Sequence, residues 1–316
     1  MGRVTPGDIE AAVRALRAGE LVAFPTETVY GLGADARNPA AVRRIFEVKG
    51  RPARHPVIVH LADRGQLFEW AREVPPGAAR LAEQFWPGPL TLVLPRAASV
   101  DDGVTGGQDS VAVRVPAHPV AHEMLALADL PIAAPSANRS GHISPTSAAH
   151  VLASLGGRIA AVLDSGPCAV GLESTVLDLS GPAPVLLRPG GVTREALEAV
   201  IGPLSTTTAP GAALAAPGML ASHYAPNLPV RLNATAPGPD EAFLAFGPAR
   251  AGALLFQLSE TQNLIEAAAN LFKALHWLDE HAAHRGLAAI AAAPIPAVGL
   301  GLAINDRLAR AAAPRG

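Results

Sequence analysis

Phe24-Pro25-Thr26-Glu27-Thr28-Val29-Tyr30-Gly31-Leu32-Gly33 is the stretch on which the reading of this chain turns. The apolar run Leu21-Val22-Ala23-Phe24 leading into it is short enough for a buried strand. A proline, two hydroxyls flanking a carboxylate, a tyrosine and two glycines then read as a strand-to-turn passage. α/β proteins place ligands at the carboxyl ends of such strands. Taken alone, the stretch serves equally well as a tight turn whose Thr26 and Thr28 satisfy local backbone groups. Glu27 and Tyr30 stay unassigned: either lines a pocket or braces the turn.

Outward from this stretch, Thr5-Pro6 reads as N-cap and first position of a helix that Gly19 ends. Asn38-Pro39 opens a second helix by the same device, running to about Val48. A basic loop, Lys49 to Pro56, precedes a stretch at 57–61 that reads as a buried strand. Helical segments near 64–70 and 76–85 run into Trp86-Pro87-Gly88-Pro89, which forbids helix and resets the chain into a strand at 90–94. A Gly/Asp-rich loop over 101–109, a strand at 111–115, a helix at 118–128 and a strand at 131–134 follow. Thr146 is the expected cap of a helix over 147–155, and strands near 159–163, 174–179 and 184–188 precede a short helix capped by Thr193. Some strands are separated by helices and some are adjacent, which argues for an α/β fold with a twisted mixed sheet and helical cover. Residues 203–228 are rich in Pro, Gly, Ala and Thr and read as a linker. Beyond it come strands near 242–246, 252–256 and 287–291, a helix from about Glu260 to His281 capped by Ser259, and a last helix at 298–311. The expected organisation is a catalytic domain over 1–202, a linker over 203–228 and a small αβ Rossmann-like domain over 229–316.

Composition narrows the function. Of 316 residues, 49% are hydrophobic and 16% charged, enough apolar surface for a sizeable core. The net charge of −2 gives no global reason for strong nucleic-acid binding. A single cysteine, Cys168, excludes a disulfide framework and fits a reducing cytosol, and no apolar run is long enough to span a bilayer. A cytoplasmic chain with no membrane role is expected.

Several stretches offer chemistry. Lys49, Arg51, Arg54 and His55 cluster in one loop and could cradle phosphate oxygens, or be a solvated basic loop. Gly31-Leu32-Gly33 is neither a Walker A loop nor a dinucleotide fingerprint, so any nucleotide must be held by side chains. Ser110 and Arg114 share one strand face, and Arg114, flanked by valines, needs an anionic partner: an internal carboxylate or a ligand's. The Ser136–Ser144 loop, Glu173-Ser174-Thr175 and Leu187-Arg188-Pro189-Gly190 add polar groups at strand ends. Nothing has the spacing of a nucleophile elbow or a protein metal site; the metal to expect is Mg²⁺ brought with a nucleotide.

Taken together, FPTETVYGLG, KGRPARHPVIVHL, WPGPLTLVL, SVAVRVP, APSANRSG with Ser144-Pro145-Thr146, LESTVLD and LLRPGG closely resemble the YrdC-like domain of threonylcarbamoyl-AMP synthases, over about residues 8–200. Ala216-Pro217-Gly218-Met219 with Ser222-His223-Tyr224-Ala225-Pro226 resembles the linker of that family's longer, two-domain form. The resemblance implies a nucleotidyltransferase that makes L-threonylcarbamoyladenylate and pyrophosphate from L-threonine, bicarbonate and ATP with Mg²⁺. The adenylate then feeds the N6-threonylcarbamoyl modification of adenosine 37 in tRNA through a separate transferase. It implies a threonine site of Thr28, His60, Arg114, the Ala134 backbone and Ser174, and an ATP site of Arg51, His55, Ser110, Ser136, Ser144, Arg188 and Tyr224. Lys49 and Arg51 are expected on the phosphates as catalytic groups, with the 203–228 segment as a lid. Arg114 pairing with the threonine carboxylate would answer the buried-arginine question. The rival readings are an RNA-binding module, which the overall acidity disfavours, and a carbamoyl-transfer enzyme for metal-centre maturation, for whose zinc fingers this sequence has no Cys pairs. At most a weak tRNA contact is expected.

Overall fold

β1 (Val22–Phe24) ends where expected, at Pro25, but the glycines that follow are not in a turn. Gly31–Asp35 forms β2, antiparallel to β1, with Phe24 opposite Gly31 and Val22 opposite Gly33. In the computed structural model, which describes residues 4–206, 222–249 and 254–314, a Cβ on Gly33 would lie 2.8 Å from Ile132 Cγ2 and 2.9 Å from the Phe24 ring. These glycines meet a demand for close strand packing rather than turn freedom. The connection itself, residues 25–30, is buried throughout.

The other strands of this sheet are β3 (Ile58–His60), β4 (Leu90–Pro95), β5 (Ser110–Arg114), β6 (Ile132–Ala133), β7 (Ala161–Val162), β8 (Thr175–Asp178) and β9 (Val185–Arg188). They join in the order β7-β1-β2-β6-β3-β5-β4-β8-β9, with parallel and antiparallel pairs mixed. The expected twisted mixed sheet is thus observed. Period-two alternation gives it two faces. Val57, Val59, Leu92, Leu94, Val111 and Val113 join the core shared with helices Pro39–Lys49 and Pro76–Phe85. Ile58, Val93, Ala112 and Val176 point the other way.

Helix starts follow local capping. Thr5 forms a capping box with Asp8, and Asn38 accepts from the backbone of Ala40 and Ala41. Two expected caps are corrected. Ser147, not Thr146, caps helix Ala148–Leu155, while the Thr146 backbone donates to His150 Nδ1. Asn263, not Ser259, caps Leu264–His284; Ser259 instead accepts from the Asn263 N–H and donates to Glu266. Where two hydroxyl or amide residues stand near a helix start, the side chain that reaches the N2 and N3 amides wins. The expected 101–109 loop contains a short helix, Asp102–Thr105.

The C-terminal domain adds β10 (Val230–Arg231), β11 (Glu241–Ala245), β12 (Leu255–Gln257) and β13 (Ala289–Ala292) in the parallel order β10-β13-β11-β12. β10 was not expected; at two residues it leaves no periodic signal. Helices Leu264–His284 and Leu300–Ala312 complete the second core.

The two domains share buried surface. Val29, Ile143 and Leu172 of the first belong to the core of the second. Gly171 (φ +71°) lies so close to the long C-terminal helix that a Cβ there would sit 2.6 Å from Ala269 Cα. His276 donates from Nε2 to Ser144 O at 3.2 Å. Of the linker, Ser205 pairs with the β9 backbone. Near its other end, the His223 N–H donates to Arg310 O and the Ala225 N–H to Gly141 O, tying the segment to both domains. The stretch Ala216-Pro217-Gly218-Met219 lies outside the described residues.

Candidate active site

A cavity opens where several strands end, as expected: His60, Arg114 and Arg188 are the last residues of β3, β5 and β9, and the turns after β1 and β6 lie beside them. Parallel β3 and β5 set His60 directly beside Arg114. The turn after β1, the 134–136 turn, Glu173-Ser174, Arg188 and the linker residues His223 and Tyr224 close the walls. Nine of the expected residues gather here: Thr28, Arg51, His60, Arg114, Ala134, Ser136, Ser174, Arg188 and Tyr224. Lys49, His55, Ser110 and Ser144 do not line it.

One end is a closed hydrogen-bond chain. Arg114 Nη1 donates to Thr28 Oγ1 at 3.0 Å, and Thr28 and Thr26 hydroxyls lie 2.7 Å apart. Thr26 Oγ1 donates to Val29 O at 2.6 Å. Because Thr26 spends its proton on that carbonyl, Thr28 donates to Thr26 and accepts from Arg114, so each hydroxyl has one orientation. Arg114 Nη2 pairs with Glu27 Oε1 at 2.5 Å and Nε donates to Gly88 O. Of the two anionic partners the sequence leaves open for this arginine, the internal carboxylate is present, and it comes from the quoted stretch itself. Glu27 Oε2 accepts from the Ala117 N–H. Tyr30 points away from the cavity, donating to Gly166 O at 2.7 Å, and braces the turn. Burial, then Arg114, pushes His60 down to about 3, so it is a neutral imidazole.

The other end is basic and incompletely paired. Arg188 donates from Nε and Nη2 to Ser174 O at 3.1 and 2.8 Å, and Ser174 Oγ lies 2.7 Å from Thr91 Oγ1. Arg51 donates from Nη2 to Pro56 O, but its buried Nε has no partner. Neither have His223 Nδ1 and Tyr224 Oη, both buried. Burial lowers Arg51 to about 10 and His223 to about 3. Glu173 is the carboxylate of this end: burial works to raise it, but Arg307, then Arg188, hold it below the usual range. Buried donors without acceptors are rare in folded proteins, and several around one cavity indicate an anionic ligand.

Lys49 is corrected in position: it ends helix Pro39–Lys49 rather than lying in the loop, and its Nζ donates to Ser136 O at 2.5 Å and to Asn138 O. Burial drives its pKa well below the ordinary value. It props the 136–138 turn from behind. Ser144, fully buried, donates to Glu173 Oε1 at 2.5 Å. Burial pushes the Cys168 thiol up to about 12, leaving it unsuited as a nucleophile. Glu173 and Thr26 line the cavity although the sequence assigns them no role there, and His223 joins Tyr224 over it, as expected of the lid. The signal available for Glu173 and Thr26 was adjacency: each is within two residues of one that was chosen.

Residues 14–190 match the family model described as telomere recombination, and residues 192–313 the one described as threonylcarbamoyl-AMP synthase, C-terminal domain. The threonylcarbamoyl-AMP synthase of Pyrococcus abyssi is 45% identical, over 98% of this chain and 95% of that protein. That of Bacillus subtilis is 42% identical, over 97% and 93%. The crystal structure of P. abyssi Sua5 complexed with L-threonine superposes with a TM-score of 0.89 at 43% identity, covering 98% of this chain and 96% of that one. These relatives define a YrdC-like enzyme of the nucleotidyltransferase type. The chain belongs to the threonylcarbamoyl-AMP synthase family. Among the described residues no helix is long and apolar enough to cross a membrane, and no cluster of His, Cys, Asp or Glu suits a metal ion.

Proposed function

We propose that this chain condenses L-threonine, bicarbonate and ATP into L-threonylcarbamoyladenylate and pyrophosphate in the cytoplasm. The product would pass to a separate transferase for N6-threonylcarbamoylation of tRNA, with at most a weak tRNA contact by this chain. The observation that carries the reading is one cavity with two unlike ends: a hydroxyl–imidazole end and a basic end with buried polar atoms that have no partner. The crystallised relative, named as bound to L-threonine, supports the first assignment.

At the hydroxyl end, Thr28, neutral His60, the Ala134 backbone and Ser174 would bind threonine. The N–H groups that Arg114 does not spend on Glu27, Thr28 and Gly88 would meet its carboxylate. Selecting a hydroxyl amino acid requires such polar partners, because an apolar pocket rejects isosteres poorly. The threonine amine attacks the bicarbonate carbon, water leaves, and a carbamate oxygen attacks the α-phosphorus as pyrophosphate departs. The carbamate is labile, so the covered cavity, with His223 and Tyr224 of the linker as its lid, protects it. Arg51 and Arg188 would hold the phosphates, with Ser136 and Tyr224 beside them. Lys49 would act by fixing the Ser136 carbonyl and its turn. His55, Ser110 and Ser144 would contribute at the rim or through Glu173. Mg²⁺ would arrive as part of the ATP complex, since the one lining carboxylate of the basic end, Glu173, is committed to Ser144 and Arg307.

The deciding experiment is pyrophosphate release from ATP by the purified chain. Release that requires both threonine and bicarbonate is expected. Release that ignores either one overturns the proposal.

A further inference from the structure

We propose that Arg307, on the last helix of the C-terminal domain, is a positioning residue for this reaction, setting the Glu173 carboxylate and the Tyr224 ring that wall the basic end of the cavity. The inference rests on the reading of that end as the ATP site. Among the described residues Arg307 is the largest fully buried side chain, at 0% exposure, a charged group on the same helix face as buried Ala303, Ile304, Leu308 and Ala311. Three of its contacts converge on the cavity wall. Nε meets Glu173 Oε2 at 2.9 Å, Nη1 donates to Pro189 O at 2.8 Å next to Arg188, and the guanidinium carbon lies 5.3 Å from the centre of the Tyr224 ring. Asp306 accepts from Nη1 on the outer side.

The residues it holds need holding. Glu173 divides its oxygens between Arg307 and the Ser144 hydroxyl, so one guanidinium fixes both the carboxylate and the serine beyond it. Tyr224 sits at φ +61°, a left-handed conformation unfavourable for a bulky side chain. Its ring is braced by Arg307 and by Phe272 at 5.4 Å, both from the C-terminal domain, and by neighbouring His223 at 4.1 Å. Tyr224 Oη remains buried and unpartnered, as does Arg307 Nη2. An ion pair that served domain docking alone would need Glu173 and no more. The additional grip on Pro189 and Tyr224 joins three separate pieces of the wall to one planar group, a geometry a lysine does not reproduce.

The test uses the full chain carrying R307K, R307M or the double change E173Q/R307M, which removes both members of the buried ion pair together and so guards against unfolding. Equilibrium ATP binding, L-threonine binding and the KM and kcat of pyrophosphate release are measured beside thermal unfolding. The expected result is a rise of roughly tenfold or more in the ATP Kd and KM in all three, with L-threonine affinity within about twofold of wild type. Arg307 as a docking residue only would give R307K with wild-type ATP affinity, or variants with lowered melting temperature and active fraction but unchanged ATP KM. Either result overturns the proposal. Loss of threonine- and bicarbonate-dependence in the wild type would instead overturn the functional reading, while the ATP-binding comparison still judges Arg307.

Discussion

The two ends of the cavity are built from the same kinds of side chain and are finished differently. At the hydroxyl end each charged or hydroxyl group has an internal partner: Arg114 donates to Glu27, Thr28 and Gly88, Thr28 to Thr26, and Thr26 to Val29 O. At the basic end Arg51 Nε, His223 Nδ1 and Tyr224 Oη are buried with no acceptor or donor opposite. The first end is preorganised by its own hydrogen bonds and needs no ligand to be stable. The second carries an unmet desolvation cost that a bound anion would relieve. On the proposed reading, the end for the amino acid pairs its arginine internally with Glu27, whereas the end for the nucleotide leaves buried polar atoms unpaired beside a single carboxylate, Glu173.

The largest expected effect tests the satisfied end. Glu27→Ala removes the partner of an arginine exposed by only 3% and should cost about 3–5 kcal/mol of folding stability in the ligand-free protein. Urea unfolding reads it, and a loss under about 1 kcal/mol would break the comparison. Arg51→Ala tests the other end with the opposite pattern. Ligand-free stability should change by less than about 1 kcal/mol, because the deletion also removes an unsatisfied donor, while ATP affinity falls by about 1.5–3 kcal/mol. Calorimetric titration with MgATP, run beside unfolding, separates the two quantities. A variant that unfolds readily yet binds ATP normally would reverse the roles of the two ends.

What the sequence made legible, and what it did not, follows from range. Caps and punctuation act within a turn of chain, so Thr5, Asn38, Thr193 and the Trp86-Pro87-Gly88-Pro89 break could be read directly. Alternation over five or six residues revealed β4 and β5, while two-residue β10 left nothing to read, and glycine-rich β2 looked like a turn. In the site, residue types were legible and partners were not. Arg114 demanded an anion, but the sequence could not say that Glu27, 87 positions away, supplies it. Lys49 stands among basic residues in sequence, and only tertiary structure turns it behind Ser136. Arg307 is the extreme case: an arginine in an amphipathic helix reads as surface until the partner domain covers it.

Acid gives a smaller, graded test. His60 and His223, one at each end, are both pushed to about 3 by burial, below the ordinary value near 6.5. The unfolded chain therefore binds more protons than the folded one as pH falls. Their contribution to stability is complete above pH 6.5 and declines as pH drops toward the folded values. Each can cost up to about 1.4 kcal/mol per pH unit in that window. The stacked pair His150–His276 at the domain seam, lowered to about 3 and 4, adds to the same slope. Unfolding free energies at pH 7, 6 and 5 should fall steadily, and His223→Asn should flatten the profile. A flat wild-type profile would mean these rings accept protons without opening the fold. Saturating ATP should offset the His223 part and leave the His60 part, since the anion would lie at one end only.

The smallest effect concerns the order of protons in the hydroxyl chain. Thr26→Val keeps the shape of the side chain but removes the donor to Val29 O and the acceptor for the Thr28 and Val29 amides and the Thr28 hydroxyl. The stability loss should be about 1–2 kcal/mol, the cost of leaving buried polar groups unpaired. Thr26→Ser should recover most of it, because only a methyl is lost. The functional consequence is sharper than the energetic one. Without Thr26 as acceptor, the Thr28 hydroxyl is free to rotate and no longer presents one fixed lone pair to Arg114. The expected signature is a raised threonine KM in the valine variant, near-normal in the serine variant, with ATP KM unchanged in both. A shift in ATP KM instead would mean that the two ends are mechanically coupled through the 25–30 turn.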